Sequence, residues 1–523
     1  MLFKKIASEF LTKQFKDKFL SFIKDRNNIG RFIIIYLIYR FYTYFKNKKN
    51  KLAELLYLIP YFNTPIKQEL KLQSNKLETS LMNYSYKNYD ELPYIPVSVE
   101  NLNKKLDVFK VETKDTQSKL ISGVVYSHND IDDKVCEFYK RFSKTNPLHA
   151  DLYPSIRMME IDIINICKSL YCADDKACGS LTSGGTESIV LACFAYRDYC
   201  KEKFNVENPN IIGFTTIHPA FDKACHYFNI KLIKVKNVKE MKSNINGNTI
   251  CLVASAPDYP YGIVDPIREV NKLAVTYSKN FHVDACMGGF LLPFLDEFSY
   301  INFKLKGISS ISMDTHKYGY APKGSSVLLF KDANIKKYQH FINKEWCGGV
   351  YATPTILGSK SGGIIAGTWA SLLLRGKSEF NNYSKKINEN LKFLVNKIKS
   401  IDNINIVGNP KLNIIAVASD KLNMYLIINK MKQKGWSLSV MQNPPAFHFC
   451  VTDVHTREIC ERLYNDLLDC TNEVSKSDNN DKLEGTLAIY GAENNLEKGL
   501  FIDEIINDYI FLLSQQCISY RHK

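Results

Sequence analysis

From residue 123 to residue 374, short β-rich runs alternate with stretches of helical character. This alternation restricts the chain's possible folds more than any other feature. The runs lie at 211–217, 249–255, 281–285, 309–313 and 325–330, and residues 187–204 read as a helix. Such an order predicts an α/β layer structure around a mainly parallel sheet, with ligands held at the strand ends. From about residue 376 the pattern changes to long amphipathic helices with β-like runs at 413–418 and 446–452, which predicts a smaller α+β domain. The polar stretch 471–484 reads as an exposed loop. No internal repeat is present.

Composition excludes other classes. With 45% hydrophobic and 24% charged residues over 523 positions, the chain is neither disordered nor a small disulfide-stapled protein. Its net charge of +15 would suit a nucleic-acid binder, but twelve basic and three acidic residues fall within the first 50 positions. The basicity therefore belongs mainly to the N-terminus, and no nucleic-acid module is expected elsewhere. The 14 cysteines show no CxxC or paired Cys/His spacing, so they are expected to be reduced thiols with no zinc or other metal site.

Near the start, Phe3, Ile6, Phe10, Phe19, Phe22 and Ile23 form an imperfect helical stripe among lysines, which suits an anionic membrane surface. Residues 32–45 are apolar and aromatic but contain Arg40, and fall short of the roughly 20 apolar residues of a spanning helix. A short tilted span, an interfacial anchor and an arm packed on the body or on a second subunit all remain open. Flanking charge weakly favours a cytoplasmic N-terminus, whereas free cysteines favour a cytoplasmic body. The two conflict if the segment spans, and an interfacial anchor removes the conflict.

Three motifs carry chemistry. The turn Gly179-Ser-Leu-Thr-Ser-Gly-Gly-Thr-Glu-Ser-Ile189 runs directly into helical sequence, where small residues and free amides can receive a phosphate. Alone it is equally a plain turn and N-cap. In Phe281-His-Val-Asp-Ala285 an acid follows a strand-like run, and in Met313-Asp-Thr-His-Lys-Tyr-Gly-Tyr320 a lysine follows another. Singly, Asp284 reads as a strand-end acid and Lys317 as a surface lysine. Jointly they supply what pyridoxal phosphate requires: an amine for the Schiff base, a carboxylate for the pyridine nitrogen and a helix start for the phosphate.

With these blocks the sequence resembles the sphingosine phosphate lyases, within the wider pyridoxal-phosphate decarboxylase group of aspartate-aminotransferase-like fold. The resemblance also rests on Asn146-Pro-Leu-His149, His218-Pro-Ala-Phe-Asp-Lys-Ala224, Ser312 through Ser326, and Gly348-Gly-Val-Tyr-Ala-Thr-Pro-Thr355 followed by Gly358-Ser359. Weaker similarity includes Pro444-Pro-Ala-Phe-His-Phe-Cys450, so roughly residues 90–515 are covered. The long lysine block and the Asn-Pro-Leu-His block are the most specific.

The resemblance implies a role for each matching residue. Lys317 would bind the cofactor covalently, Asp284 would face its ring nitrogen, and His218 would stack on the ring. Gly185, Thr186 and His316 would hold the phosphate, with Gly358 and Ser359 reaching it from the neighbouring subunit of a homodimer. Lys323 would pair with the substrate phosphate, and Tyr126, His149 and Tyr351 would face the substrate and assist proton movement. The expected reaction is retro-aldol cleavage of a long-chain base phosphate to a long-chain aldehyde and phosphoethanolamine. The base for the C3 hydroxyl is left open among Tyr126, His149, Tyr351, Lys317 and the substrate phosphate.

An amino-acid decarboxylase is the alternative with the same cofactor, and a membrane-anchored scaffold without catalysis is the alternative from another class. Lys323 and the membrane-like N-terminus favour the lipid, and the intact Lys317 and Asp284 favour the enzyme. In one departure from the family pattern, Lys360 stands where arginine is expected, keeping charge but losing the planar fork of a bidentate contact. The implied organisation is a membrane segment over 1–50, a connecting and dimer-contact segment over 51–122, a cofactor-binding domain over 123–375 and a small domain over 376–523. The implied location is the endoplasmic reticulum membrane, with the catalytic body facing the cytoplasm.

Overall fold

The computed structural model describes residues 92–112, 120–123, 130–149 and 151–476, with single helical positions at Ile506 and Ile510. Gln117–Met424 and Met431–Lys476 form one compact unit, and the helix Val99–Glu112 belongs to another. The expected membrane segment and Tyr126 lie outside the described residues. Among the described residues, no helix is long and apolar enough to cross a membrane.

Seven strands build the main sheet: β1 (Cys178–Thr182), β2 (Asn210–Phe214), β3 (Lys231–Val235), β4 (Thr249–Ser255), β5 (Asn280–Asp284), β6 (Ile308–Met313) and β7 (Ser326–Phe330). Their order is β1-β7-β6-β5-β4-β2-β3. Strands β2 to β6 are mutually parallel, whereas β7 runs antiparallel to both β6 and β1. Two successive reversals return β1 to the direction of β6. Consequently β1, β2, β5 and β6 all end on one edge of the sheet, where β7 begins. Strands β2, β4 and β7 are buried at every position, which is why their sequences are near-continuous apolar runs.

Helices connect and cover the strands: α1 (Asp130–Phe142), α2 (Pro154–Leu170), α3 (Gly185–Phe204), α4 (Ala220–Tyr227), α5 (Ile267–Thr276), α6 (Gly362–Ile398) and α7 (Arg457–Lys476). Helix α6 kinks at Gly376, whose φ of +59° suits a residue without a side chain, at the point where the sequence pattern changes. A hairpin of β8 (Phe341–Asn343) and β9 (Tyr351–Thr353) precedes it. A second, antiparallel sheet follows, formed by β10 (Asn405–Ile406), β11 (Ile414–Ala418), β12 (Ser439–Met441) and β13 (Ala446–Cys450) in the order β10-β11-β13-β12.

Helix α7 corrects the expected loop at 471–484. Cys460, Leu463, Leu467, Cys470 and Val474 repeat at three- and four-residue spacing and are buried, so the apolar stripe runs on through the polar stretch. Thr471 is buried too, and its hydroxyl donates to the Leu467 carbonyl at 2.7 Å. The helix therefore includes residues 471–476, and 477–484 lie outside the described residues.

Candidate active site

The carboxyl edge of the main sheet gathers the expected chemistry. Asp284 ends β5, His218 follows β2, and the turn after β6 carries Asp314, His316 and Lys317. These side chains line one cavity of 340 Å³ together with Cys286 and residues 183–187, which lead from β1 into α3.

The start of α3 is open by construction. Its first N–H groups have no carbonyl four residues back, and Gly184 contributes no capping side chain. Gly184 has φ +151°, and a Cβ there would stand 3.2 Å from His316 Cε1. A Cβ on Gly185 would stand 2.7 Å from Asp314 Oδ1 and 2.8 Å from Cys286 Sγ. Glycine at both positions thus keeps space in front of free amides and the positive end of the helix dipole.

Glu187, buried in the first turn of α3, holds this arrangement. One carboxylate oxygen reaches back past the Gly184 N-cap and accepts from the Ser183 N–H at 2.6 Å. The other accepts from the Ile356 N–H at 2.9 Å, tying the turn to the loop after β9.

Lys317 Nζ lies 2.9 Å from Asp314 Oδ2. Burial works to lower the lysine pKa, but the neighbouring Asp314 carboxylate outweighs it and holds the ammonium above its ordinary range. Asp284 accepts through Oδ1 from the Cys286 N–H at 3.0 Å and the Ser312 hydroxyl at 3.3 Å. His218 Nδ1 accepts from the Ala220 N–H at 3.1 Å, which leaves its proton on Nε2. His316 Nδ1 likewise accepts from the N–H groups of Gly324 and Ser325, at 3.3 and 3.1 Å, so its Nε2 is a donor. Burial lowers the pKa of both imidazoles, which favours these neutral forms.

These groups fit pyridoxal phosphate. The cavity offers an amine for its aldehyde, a buried carboxylate for its ring nitrogen, a flat imidazole for its ring, and a helix start kept open by two glycines for its phosphate.

Of the other expected residues, Lys323, Tyr351, Gly358, Ser359 and His149 stand outside this cavity lining. Lys323 precedes β7 and donates to the His316 carbonyl at 2.8 Å. Burial and the charge of Lys317 lower its pKa. Tyr351 begins β9 between the rings of Phe341 and Trp346, along an adjoining apolar groove of 630 Å³. Its hydroxyl approaches Gly358 so closely that a Cβ there would be 2.8 Å away. His149 is exposed in the loop between α1 and α2. In that same loop Asn146 Nδ2 donates to Ser359 Oγ at 3.0 Å. Lys360 pairs at 2.9 Å with Glu160 of α2.

Three functional neighbours had no role from the sequence: Asp314, Cys286 and Glu187. Only Asp314 carried a usable signal, an acid three residues before the lysine in the same turn. Among the described residues the cysteines are free, and no cluster of His, Cys, Asp or Glu suits a metal.

Fold and cavity together define a pyridoxal-phosphate-dependent enzyme, and the model of the pyridoxal-dependent decarboxylase conserved domain matches residues 126–418. Sphingosine-1-phosphate lyase 1 of Rattus norvegicus is 39% identical over 459 residues, covering 84% of this chain and 80% of that protein. Sphingosine-1-phosphate lyase of Drosophila melanogaster is 36% identical, covering 86% of this chain and 85% of its own. The structure of a Burkholderia pseudomallei sphingosine-1-phosphate lyase superposes with a TM-score of 0.73 at 31% identity, covering 82% of this chain and 98% of that one. The chain belongs to the sphingosine-1-phosphate lyase family of pyridoxal-dependent enzymes.

Proposed function

We propose that this chain cleaves the C2–C3 bond of sphingosine 1-phosphate and related long-chain base phosphates, releasing a long-chain aldehyde and phosphoethanolamine. One observation carries the reading: Lys317, Asp284, His218 and the open start of α3 line a single cavity in a chain of this family. Bound there, pyridoxal phosphate supplies an acceptor for the electron pair released when the C2–C3 bond breaks.

The protein's own groups do the rest. Lys317 would hold the cofactor through its side-chain amine. Asp284 would keep a proton at the ring nitrogen. The amides of Gly185 and Thr186 and the Nε2–H of His316 would hold the cofactor phosphate, and His218 would lie against the ring. Lys323, at the mouth beside His316, is suited to the substrate phosphate. Tyr126, His149 and Tyr351 are candidates to move the C3 hydroxyl proton.

The functional form in this reading is a homodimer with shared sites. Ser359, Gly358 and Tyr351 do not line their own chain's cavity, which supports delivery to a partner. Phe341, Ile342, Trp346, Val350, Ile356 and Leu357, on the same hairpin and loop, are exposed apolar side chains that a second copy would cover. The basic, apolar N-terminus supports membrane attachment, at the endoplasmic reticulum with the catalytic body facing the cytoplasm. The sheets on either side of the Gly376 kink support a cofactor-binding domain over 123–375 and a small domain from 376.

The test is mass-spectrometric product analysis of the cofactor-loaded protein with sphingosine 1-phosphate in mild detergent, beside Lys317→Ala. Paired aldehyde and phosphoethanolamine from the parent alone are expected. Carbon dioxide from amino acids, with neither product, would assign the chain to decarboxylation instead.

A further inference from the structure

We infer that Asn146 is a positioning residue, setting the Ser359 hydroxyl as a hydrogen-bond donor for the cofactor phosphate of the neighbouring subunit. The inference rests on the shared-site reading above.

The direction of the Asn146 bonds carries the argument. Its Oδ1 accepts from two backbone N–H groups, Leu148 at 3.2 Å and Lys360 at 3.3 Å. Those donors orient the amide, so its Nδ2 faces Ser359 Oγ as a donor at 3.0 Å. A serine hydroxyl that accepts from an amide still has its own proton to give. A phosphate oxygen, which only accepts when ionised, is the partner that proton suits.

The same stretch is fastened at two further points. The Gly362 N–H donates to the Thr145 carbonyl at 3.0 Å, and a Cβ on Gly362 would collide with Thr145. Lys360 Nζ pairs with Glu160, both side chains being less than one-fifth exposed. The charge of Lys360 is thereby spent within its own chain. The residue that departs from the family pattern therefore serves as an anchor for Ser359, with Asn146 setting the hydroxyl's direction.

The experiment titrates the full-length apoprotein with pyridoxal phosphate and reads the dissociation constant from the visible band and from protein fluorescence, without turnover. Asn146→Ala and Ser359→Ala should each weaken binding about five- to tenfold, as for the loss of one hydrogen bond. The double variant should match Ser359→Ala within twofold. Asn146→Asp, equal in size but lacking the donor, should bind no better than Asn146→Ala. Multiplying losses in the double variant, or parent-like affinity in Asn146→Asp, would overturn the positioning role.

A hybrid dimer of one Lys317→Ala chain and one Asn146→Ala chain then tests the subunit assignment. The surviving lysine-linked band should titrate with parental affinity, because that site receives its loop from the intact chain. Titration at the weakened affinity would place Asn146 and Lys317 in the same chain's site and overturn the shared-site reading, even if the coupling of Asn146 to Ser359 held. A parent protein without any band would remove both.

Discussion

The carboxylate of Asp314 stands 2.9 Å from the ammonium of Lys317, three residues along the same turn, and its second oxygen has no hydrogen-bond partner among the described residues. The acid is almost fully buried, so in the protein alone the lysine is its counter-ion. An amine must be unprotonated to capture an aldehyde. The pair thus stores the reactive group in its inactive form until that charge is relieved.

Asp314→Asn should therefore shift cofactor capture toward lower pH. Asp314 holds the Lys317 pKa above its ordinary range, so its removal increases the neutral amine at any given pH below that range. Stopped-flow growth of the visible band against pH, in parent and variant, measures the midpoint. An unchanged midpoint would mean that the carboxylate does not control the amine.

Lys317→Ala should abolish lyase turnover while leaving the fold intact, yet it strands a buried carboxylate. Discounting for the partial exposure of the lysine, the apoprotein should lose about 2 kcal/mol. Adding Asp314→Asn should restore most of that stability without restoring turnover. Urea unfolding of the three apoproteins, with product analysis alongside, separates the two effects. Recovery of turnover in the double variant would refute the role of Lys317.

Three buried imidazoles predict acid sensitivity. Burial pushes His282, His448 and His455 down to about 4. Because the folded state disfavours their charged form, the stability they contribute is present above about 6.5 and is lost as the pH falls toward 4. Each should add up to about 1.4 kcal/mol per pH unit in that window. Urea midpoints at pH 7, 6 and 5 should fall progressively, and His282→Asn should flatten the slope. A flat parent profile would contradict the buried, neutral state.

Lys360→Met and Glu160→Gln should weaken cofactor binding to a similar extent, because each breaks the same anchor. A lysine acting directly on phosphate would give a different pattern, in which loss of Glu160 leaves binding unchanged or tighter. Isothermal titration of both variants with pyridoxal phosphate distinguishes them.

Much of this architecture is legible in the sequence, for identifiable reasons. Strand β4 has the bounds that its apolar run suggests, and β5, β6 and β7 fall within a residue of theirs, because burial at nearly every position leaves a continuous signal. Strand β1 escapes notice because Cys-Gly-Ser-Leu-Thr has little intrinsic β preference and is a strand through its pairing with β7. Strand β3 sits at the sheet edge with lysines at both exposed positions, a pattern that marks a protected edge more than a core. In the site, Lys317 and Asp284 follow strand-like runs and can be found from their order, whereas His218 enters only through the family resemblance. Glu187 cannot be found in this way, since Ile356 comes within its reach only when the start of α3 and the loop after β9 are folded together, whereas Asp314 is marked by its place three residues before Lys317.

The two bonds of Glu187 set a rule for anyone redesigning this enzyme. The turn at Ser183 and the loop at Ile356 share one carboxylate, so they form a single module rather than two editable parts. A library that varies residues 354–358 to change substrate scope will also sample altered cofactor retention. Screens on such libraries should therefore score both properties in every clone.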